Sequence, residues 1–274
     1  MIPAEFRYEV ASSVDHAVEL LGSDDDAKLL AGGHSLLPLM RLRFARPSLL
    51  VDLGRLPELS YVRDGGDHLE VGALTRHHDL AHDPLVGEHC PILAHAAAGI
   101  GDPQVRHRGT IGGSLAHGDP ASDLPTIALA LDAELVVQGP GGERSHAARD
   151  FFVGFLETAL GAQDVLTQIR VPKLAGAGWS YPKFTRRAQD WATVAVAVVR
   201  DNGRARVGLT NMGATPLRAA GTEEALAAGA DAAAAAERAA EGTSPPTDTS
   251  ASAEYRAHLA RVLTRRALEA AAPR

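Results

Sequence analysis

"AGGHSLLPLMRLR", residues 31–43, sets two glycines, a histidine and a serine directly before an apolar run studded with arginine. Two readings compete. A Gly-Gly pair makes a tight turn, because glycine reaches backbone conformations closed to other residues. The same pair, followed by Ser35 and a helix, also suits an anion, since phosphate can approach a backbone without Cβ atoms and successive N–H groups can cradle it. The flanking residues place this loop in an α/β setting. "AKLLAGG" reads as a short buried strand running into the loop, and "SLLPLMRLR" as a helix with Pro38 in its first turn. Further upstream, "SSVDHAVELLG" (12–22) reads as a helix capped by Ser12 or Ser13, with Val14, Ala17, Val18 and Leu21 on one face and Gly22 at the C-cap. "SLLVDL" (48–53) is a further strand, so the order β–α–β–loop–α–β predicts a small α/β unit through about residue 53.

A second stretch repeats the design. "RHRGTIGGSLAHGDPASD" (106–123) reads as a glycine-rich loop in which Thr110, Ile111, Gly112, Gly113 and Ser114 again join glycines to hydroxyls. Two such cradles would suit the two phosphates of a pyrophosphate. Around it, "LSYVRDGGDHLEVGAL" (59–74) reads as a hairpin, and "TRHHDLAHDPLV" (75–86) and "HCPILAHAAAGI" (89–100) as helices. "LPTIALALDA" (124–133) is a helix, "ELVVQ" (134–138) a strand, "GPGGER" a turn and "DVLTQIRVP" (164–172) a strand, with "PKLAGAG" (172–178) as a linker. Beyond it the pattern becomes three β-like runs, "WSYPKFTRR", "ATVAVAVVR" and "RARVGLTNMG", joined by short turns including "DNG" (201–203). Helices follow in the alanine-rich run 222–242 and in 252–271, separated by the loop "TSPPTDTSA". A three-stranded antiparallel sheet with helices on one face suits this segment.

Composition removes several function classes. A net charge of −7 argues against a general nucleic-acid or anionic-membrane binder. The single cysteine, Cys90, excludes an internal disulfide framework and a cysteine-held cluster, and before Pro91 it reads as a small buried apolar residue. No stretch reaches the ~20 apolar residues of a membrane span, and "MIPAEFRYEV" is too polar for a signal peptide, so a cytoplasmic protein is expected. "GIGDPQ" (99–104) has Gln104 where a dinucleotide fingerprint needs its last glycine, and there is no Walker lysine or nucleophile elbow. His77 and His78 are adjacent and cannot both face one ion from a helix, while His34, His107 and His117 lack a matching carboxylate cluster. Asp119 and Asp123, either side of Pro120, read equally as caps for the following helix or as ligands. In "YPKFTRRAQDWA" (181–192), Tyr181, Lys183, Arg186, Arg187, Asp190 and Trp191 crowd a strand and its exit loop, a cluster that matters if a flat anionic cofactor lies nearby.

Taken in order, "LLAGGHSLLPLMRLR", "IGDPQVRHRGTIGGSLAHGDPASDLPTIALALDAEL", "KFTRRAQDWATVAVAVV", "GLTNMGATP" and "AEYRAHLARVLTRRALEAA" resemble the FAD-binding medium subunit of molybdenum hydroxylases, of the carbon monoxide dehydrogenase and xanthine dehydrogenase type. The resemblance covers nearly the whole chain. It implies an α+β protein with a two-part FAD domain of the vanillyl-alcohol-oxidase (PCMH) type over residues 1–175 (parts about 1–55 and 56–175), and a C-terminal flavoprotein-subunit domain over 176–274. It implies that Leu29, Leu30, Ala31, Gly32, Gly33, His34, Ser35 and Leu36, with Thr110, Ile111, Gly112, Gly113 and Ser114, wrap the pyrophosphate and ribityl chain. Ile100, Asp123, Leu166 and Lys183 complete the set, and Trp191 stands where close relatives carry tyrosine near the flavin. No residue of this chain would perform the substrate chemistry, and no metal would be bound. Noncovalent FAD would pass electrons from 2Fe–2S clusters of a small partner subunit, supplied by a large molybdenum-cofactor subunit, to quinone, NAD or another acceptor. The assembly implied is a dimer of heterotrimers, cytoplasmic or peripheral to the inner face of the membrane. Lys183 beside the flavin would favour its anionic reduced form. Two alternatives stay open: a stand-alone flavin oxidase with FAD covalently attached at His34, and a subunit that has lost flavin and only scaffolds assembly.

Overall fold

The structure, a computed structural model, describes residues 2–201 and 203–271. The expected "DNG" turn includes Asn202, which lies outside the described residues. The chain begins with β1 (Arg7–Val10), α1 (Val14–Gly22), β2 (Lys28–Leu30), α2 (Leu36–Arg41) and β3 (Leu49–Asp52). The three strands form a parallel sheet in the order β1-β3-β2, as the alternation with helices demands. Ala17 and Leu21 of α1 bury against Leu49, Val51 and Leu53. Ser13 caps α1, its hydroxyl accepting from the His16 N–H at 3.0 Å. Gly22 is still helical and Ser23 closes the last turn, one residue later than the sequence suggests. Replacing Ser13 by alanine orphans that N–H and is expected to lower unfolding free energy by about 1 kcal/mol in a urea melt.

The next segment supplies β4 (Val62–Asp64), β5 (His68–Gly72), α3 (His77–His82), α4 (Pro84–His89), α5 (Pro91–Ala98), α6 (Pro103–Arg106), α7 (Ile111–His117), α8 (Asp123–Ala130), β6 (Glu134–Gly139), β7 (Gly142–Ala147), α9 (Ala148–Phe151), β8 (Phe152–Gly154), β9 (Glu157–Thr158) and β10 (Val165–Pro172). Its main sheet is antiparallel, in the order β4-β5-β10-β6-β7. Apolar residues of the sheet (Leu69, Val71, Leu135, Ile169) meet Leu80, Ile92, Leu124 and Ile127 from the helices in one core. Two stretches differ from the sequence reading. "TRHHDLAHDPLV" is two helices, because Asp83 accepts from the Leu85 and Val86 N–H groups and Pro84 starts a new one. The supposed glycine loop 106–123 contains α7, which buries Ile111 and Leu115 and ends at Gly118 with φ +64.

The last segment carries β11 (Gly178–Ser180), β12 (Lys183–Phe184), β13 (Val194–Asp201), β14 (Arg204–Thr210), β15 (Leu217–Arg218), α10 (Ala220–Ala227), α11 (Ala232–Glu237) and α12 (Ala253–Ala270). The sheet runs β11-β13-β14-β15, and β12 also pairs with β13, so the expected three-stranded core gains the two-residue edge β15. The alanine-rich run breaks at Gly229, φ +89, into α10 and α11. β13 is buried on both faces. Val194, Val196 and Val198 pack with Leu259 and Leu263 of α12, while Ala195, Ala197 and Val199 join the core of the preceding segment. α8 therefore covers the sheet face that the C-terminal helices leave open. A Cβ on Gly208 of β14 would lie 2.9 Å from Thr126 Cγ2 and 3.0 Å from the Thr126 carbonyl oxygen, and the Thr210 hydroxyl donates to that of Thr126 at 2.8 Å. Gly208→Ala is expected to prise α8 from β14 and cost about 1–3 kcal/mol, read as a lower denaturation midpoint.

Candidate functional site

A cleft of about 680 Å³ runs from the β2–α2 loop, past the start of α7, to the loop between β12 and β13. Its size is that of a site for an extended organic ligand. The floor at one end is the contact between the two glycine stretches. A Cβ on Gly32 would strike the Arg108 carbonyl oxygen and lie 2.7 Å from Gly109 Cα, so only glycine lets these backbones touch. Gly33 has φ +76, and a Cβ there would lie 2.9 Å from Leu37 Cδ1.

The two loops are not equivalent, although the sequence makes them look alike. In the second, every amide of the glycine turn is already spent. Ile111 N–H donates to Thr75, Gly112 N–H to Ala73, Gly113 N–H to the Thr110 hydroxyl at 3.1 Å and Ser114 N–H to the Thr110 carbonyl. In the first, the N–H groups of Gly32, Gly33, His34 and Ser35 donate to none of the described residues. The Ser35 hydroxyl makes no capping bond either. One loop is thus an open set of backbone donors suited to an anion, and the other is a closed wall that presents hydroxyls. This corrects the expectation of two equal cradles. The four residues are half-buried or exposed, so these donors stay open to the cleft and free to meet an anion there.

At the other end, Asp123 holds two groups from the C-terminal segment. Lys183 Nζ donates to Asp123 Oδ2 at 2.8 Å and the Tyr181 hydroxyl donates to Oδ1 at 2.7 Å. All three side chains are largely buried. Tyr181 is pushed well above its ordinary value by burial and by the neighbouring carboxylate, so it stays a phenol. Asp123 is not a cap, and Ser122 stands at that position. Lys183 also donates to the Gly99 carbonyl at 3.3 Å. An ammonium has three N–H groups, which leaves one for the cleft. Its charge is paired rather than free, which weakens any purely electrostatic effect on a bound ring. Trp191, 57% exposed, stands at the edge of the same end.

His77 lines the cleft beneath Gly109 and was not singled out as a site residue in the sequence. Its Nδ1 has no partner among the described residues. Burial, then His34 and Arg106, lower its pKa from 6.5 to about 4. Between those values the unfolded chain takes up a proton that the folded chain refuses, so stability falls as the pH drops from about 6.5 to about 4. His77→Gln is expected to flatten that part of the pH–stability profile by about 3 kcal/mol, measured by denaturant melts across the range.

The cleft brings together every site residue expected from the sequence except two. Ile111 turns its side chain into the main core, with 2% exposure. Leu30 alternates away from Leu29 along β2 and packs towards Gly33. Residues the sequence reading passed over also line it, among them Thr158 of the β8–β9 hairpin and the Gly161–Asp164 turn, far away along the chain. Among the described residues, no group of histidine, cysteine and carboxylate side chains could hold a metal, and no helix is long and apolar enough to cross a membrane.

Comparison with known proteins gives concordant matches. Residues 4–174 match the family model described as the FAD binding domain in molybdopterin dehydrogenase, and residues 179–271 match the CO dehydrogenase flavoprotein C-terminal domain. The carbon monoxide dehydrogenase medium chain of Hydrogenophaga pseudoflava is 45% identical, with 99% of this chain and 98% of that one covered. The 6-hydroxypseudooxynicotine dehydrogenase complex subunit alpha of Paenarthrobacter nicotinovorans is 40% identical, with 98% and 95% covered. A solved structure of the Hydrogenophaga pseudoflava carbon monoxide dehydrogenase superposes with a TM-score of 0.96 at 46% identity, covering 99% of this chain and 98% of that one.

Proposed function

The chain belongs to the family of FAD-binding medium subunits of molybdopterin dehydrogenases, and from that premise we propose that it binds FAD noncovalently and relays electrons within a molybdenum hydroxylase complex. The open donor set at Gly32–Ser35 is the observation that carries this reading. It fits the pyrophosphate of FAD: four consecutive N–H groups and a hydroxyl that makes no capping bond, on a loop that glycine lets pack against the Arg108–Gly109 backbone. The division into an FAD-binding unit over residues 1–175 and a second unit over 176–274 is supported by the span of the two family matches.

When bound, FAD supplies the redox chemistry, exchanging electrons with clusters on one side and an acceptor on the other. The chain supplies placement. Gly32–Ser35 would hold the diphosphate, and Ser114 and Thr110 would offer hydroxyls along the linking chain. Ile100 and Trp191 would exclude water from the ring, and Leu166 would cover the far end of the cleft. Asp123 and the Gly99 carbonyl hold Lys183 in the cleft wall, where its remaining N–H would be available to the ring. His34 is exposed, and its Nδ1 sits 3.1 Å from the Gly32 carbonyl, a position that supports a role in shaping the loop rather than in a covalent bond.

The partners that support this role are a large molybdenum-cofactor subunit and a small subunit with two 2Fe–2S clusters, arranged as a dimer of heterotrimers. With one cysteine, this chain could not hold the clusters itself. The relatives' names differ in substrate, carbon monoxide in one and 6-hydroxypseudooxynicotine in another, in keeping with a subunit that does not choose it. The test is anaerobic reduction of the purified complex by its substrate. Flavin absorbance should bleach and recover on adding the acceptor. In a deflavinated complex the iron–sulfur centres should still reduce while acceptor reduction stops. Acceptor reduction that continues without flavin would refute the relay.

A further inference from the structure

Asn211 joins the turn before Asp123 to the segment after Trp191, yet it does not line the cleft itself. It follows β14 in the left-handed region, with φ +62, which asparagine tolerates better than most residues with a Cβ. Its backbone N–H donates to the Pro120 carbonyl at 2.7 Å. Its side-chain amide donates to the Ala192 carbonyl at 2.8 Å and reaches that of Thr193 at 3.4 Å. Pro120 opens the turn into Asp123, and Ala192 directly follows Trp191. From α12, the wholly buried Arg256 donates to the same Thr193 carbonyl and pairs with Asp248 at 2.7 Å. The Thr193 N–H in turn donates to the Phe184 carbonyl at 2.9 Å, next to Lys183.

Asn211 thus adds a backbone tie between the turn that leads into Asp123 and the segment that follows Trp191, beside the direct bonds of Lys183 and Tyr181 to Asp123. Asp123 comes from α8 of the first half, whereas Lys183 comes from the sheet of the second and Trp191 from the loop between β12 and β13. Resting on the reading of the cleft as an FAD site, we propose that Asn211 is a positioning residue that sets the width of the slot for the flavin ring. A planar ring gains its contacts only when both walls stand at van der Waals separation, and a gap of a fraction of an ångström forfeits much of that attraction. The buried Thr126–Thr210 pair and the Tyr181–Asp123 bond hold α8 near the sheet. Asn211 acts on the buried end, Ala192–Thr193, of the otherwise mostly exposed segment between β12 and β13.

Two substitutions separate the amide from the backbone shape. Asn211→Gly keeps access to positive φ and removes the side-chain donor. Asn211→Asp keeps the shape but turns an acceptor towards two carbonyl oxygens. The complete complex carrying each variant is deflavinated and retitrated with FAD, and the visible circular dichroism of the bound flavin is recorded. Melting of the full-length, flavin-free chain is followed in parallel. The expected result is a dissociation constant for FAD raised about tenfold in Asn211→Gly and further in Asn211→Asp. The flavin dichroism should be altered, and the melting temperature of the flavin-free chain should be close to wild type. Wild-type affinity and dichroism in both variants would overturn the proposal, including when the melting temperature falls, since that pattern belongs to a merely structural residue. Failure of the wild-type complex itself to take up FAD would instead overturn the reading of the cleft.

Discussion

Gly32→Ala is expected to weaken FAD binding by about two orders of magnitude while leaving the chain folded. The added methyl would meet backbone, the Arg108 carbonyl and Gly109 Cα, rather than the movable end of a side chain. Those atoms are held in place. The Gly109 N–H donates to the Val105 carbonyl at 2.7 Å, and the Gly109 carbonyl accepts from the His77 N–H at 3.0 Å. The first loop is held less firmly: its Gly33 and Ser35 carbonyls accept from Leu37 and Leu39 of α2, but the amides of residues 32–35 are bonded to none of the described residues. The loop therefore moves, and its donors leave the positions a diphosphate requires. Overpacking of this kind costs about 1–3 kcal/mol, which here falls on binding rather than on folding. A fluorescence titration of the deflavinated complex measures the effect, and Gly87→Ala, whose Cβ meets nothing within 4 Å, is the control expected to bind normally.

The second large effect belongs to Asp123. Asp123→Ala leaves a buried ammonium and a buried phenol without their shared acceptor. Breaking one side of a buried charge pair typically costs about 3–5 kcal/mol, because the remaining charge loses both water and partner. For a chain of this size that is a fall of roughly 10 °C in melting temperature. Removing both partners costs less than the single change suggests. Asp123→Ala combined with Lys183→Met is expected to recover a large part of the loss, and the double-mutant cycle isolates the coupling. A cycle that shows additive effects would mean that the pair is not energetically linked.

The architecture of the first glycine loop was legible because it is local: strand, glycines, hydroxyl and helix lie within fifteen residues. The second loop was misread for the same reason. Gly112 and Gly113 lower helix propensity, so residues 111–117 looked like coil. Gly112 is there because Ala73 of another segment occupies the space a Cβ would need, a fact no local pattern carries. Asp123 stood undecided between cap and ligand, since its partners Tyr181 and Lys183 come from a different sheet and no spacing rule joins them. The run "VAVAVV" read correctly as a strand. That its alternate residues serve two separate cores follows only once α8 is seen packed on the face opposite α12. His77 was invisible as a site residue because a histidine in an amphipathic helix carries no mark of the glycine that will pack on it.

Among the alternatives to noncovalent FAD, one simple measurement is decisive. The purified complex is precipitated with acid, and flavin is quantified in the supernatant and in the pellet against the amount of this chain. One FAD per chain in the supernatant, with a colourless pellet, is the predicted result. Flavin retained by the polypeptide, or a complex that yields none, would contradict it.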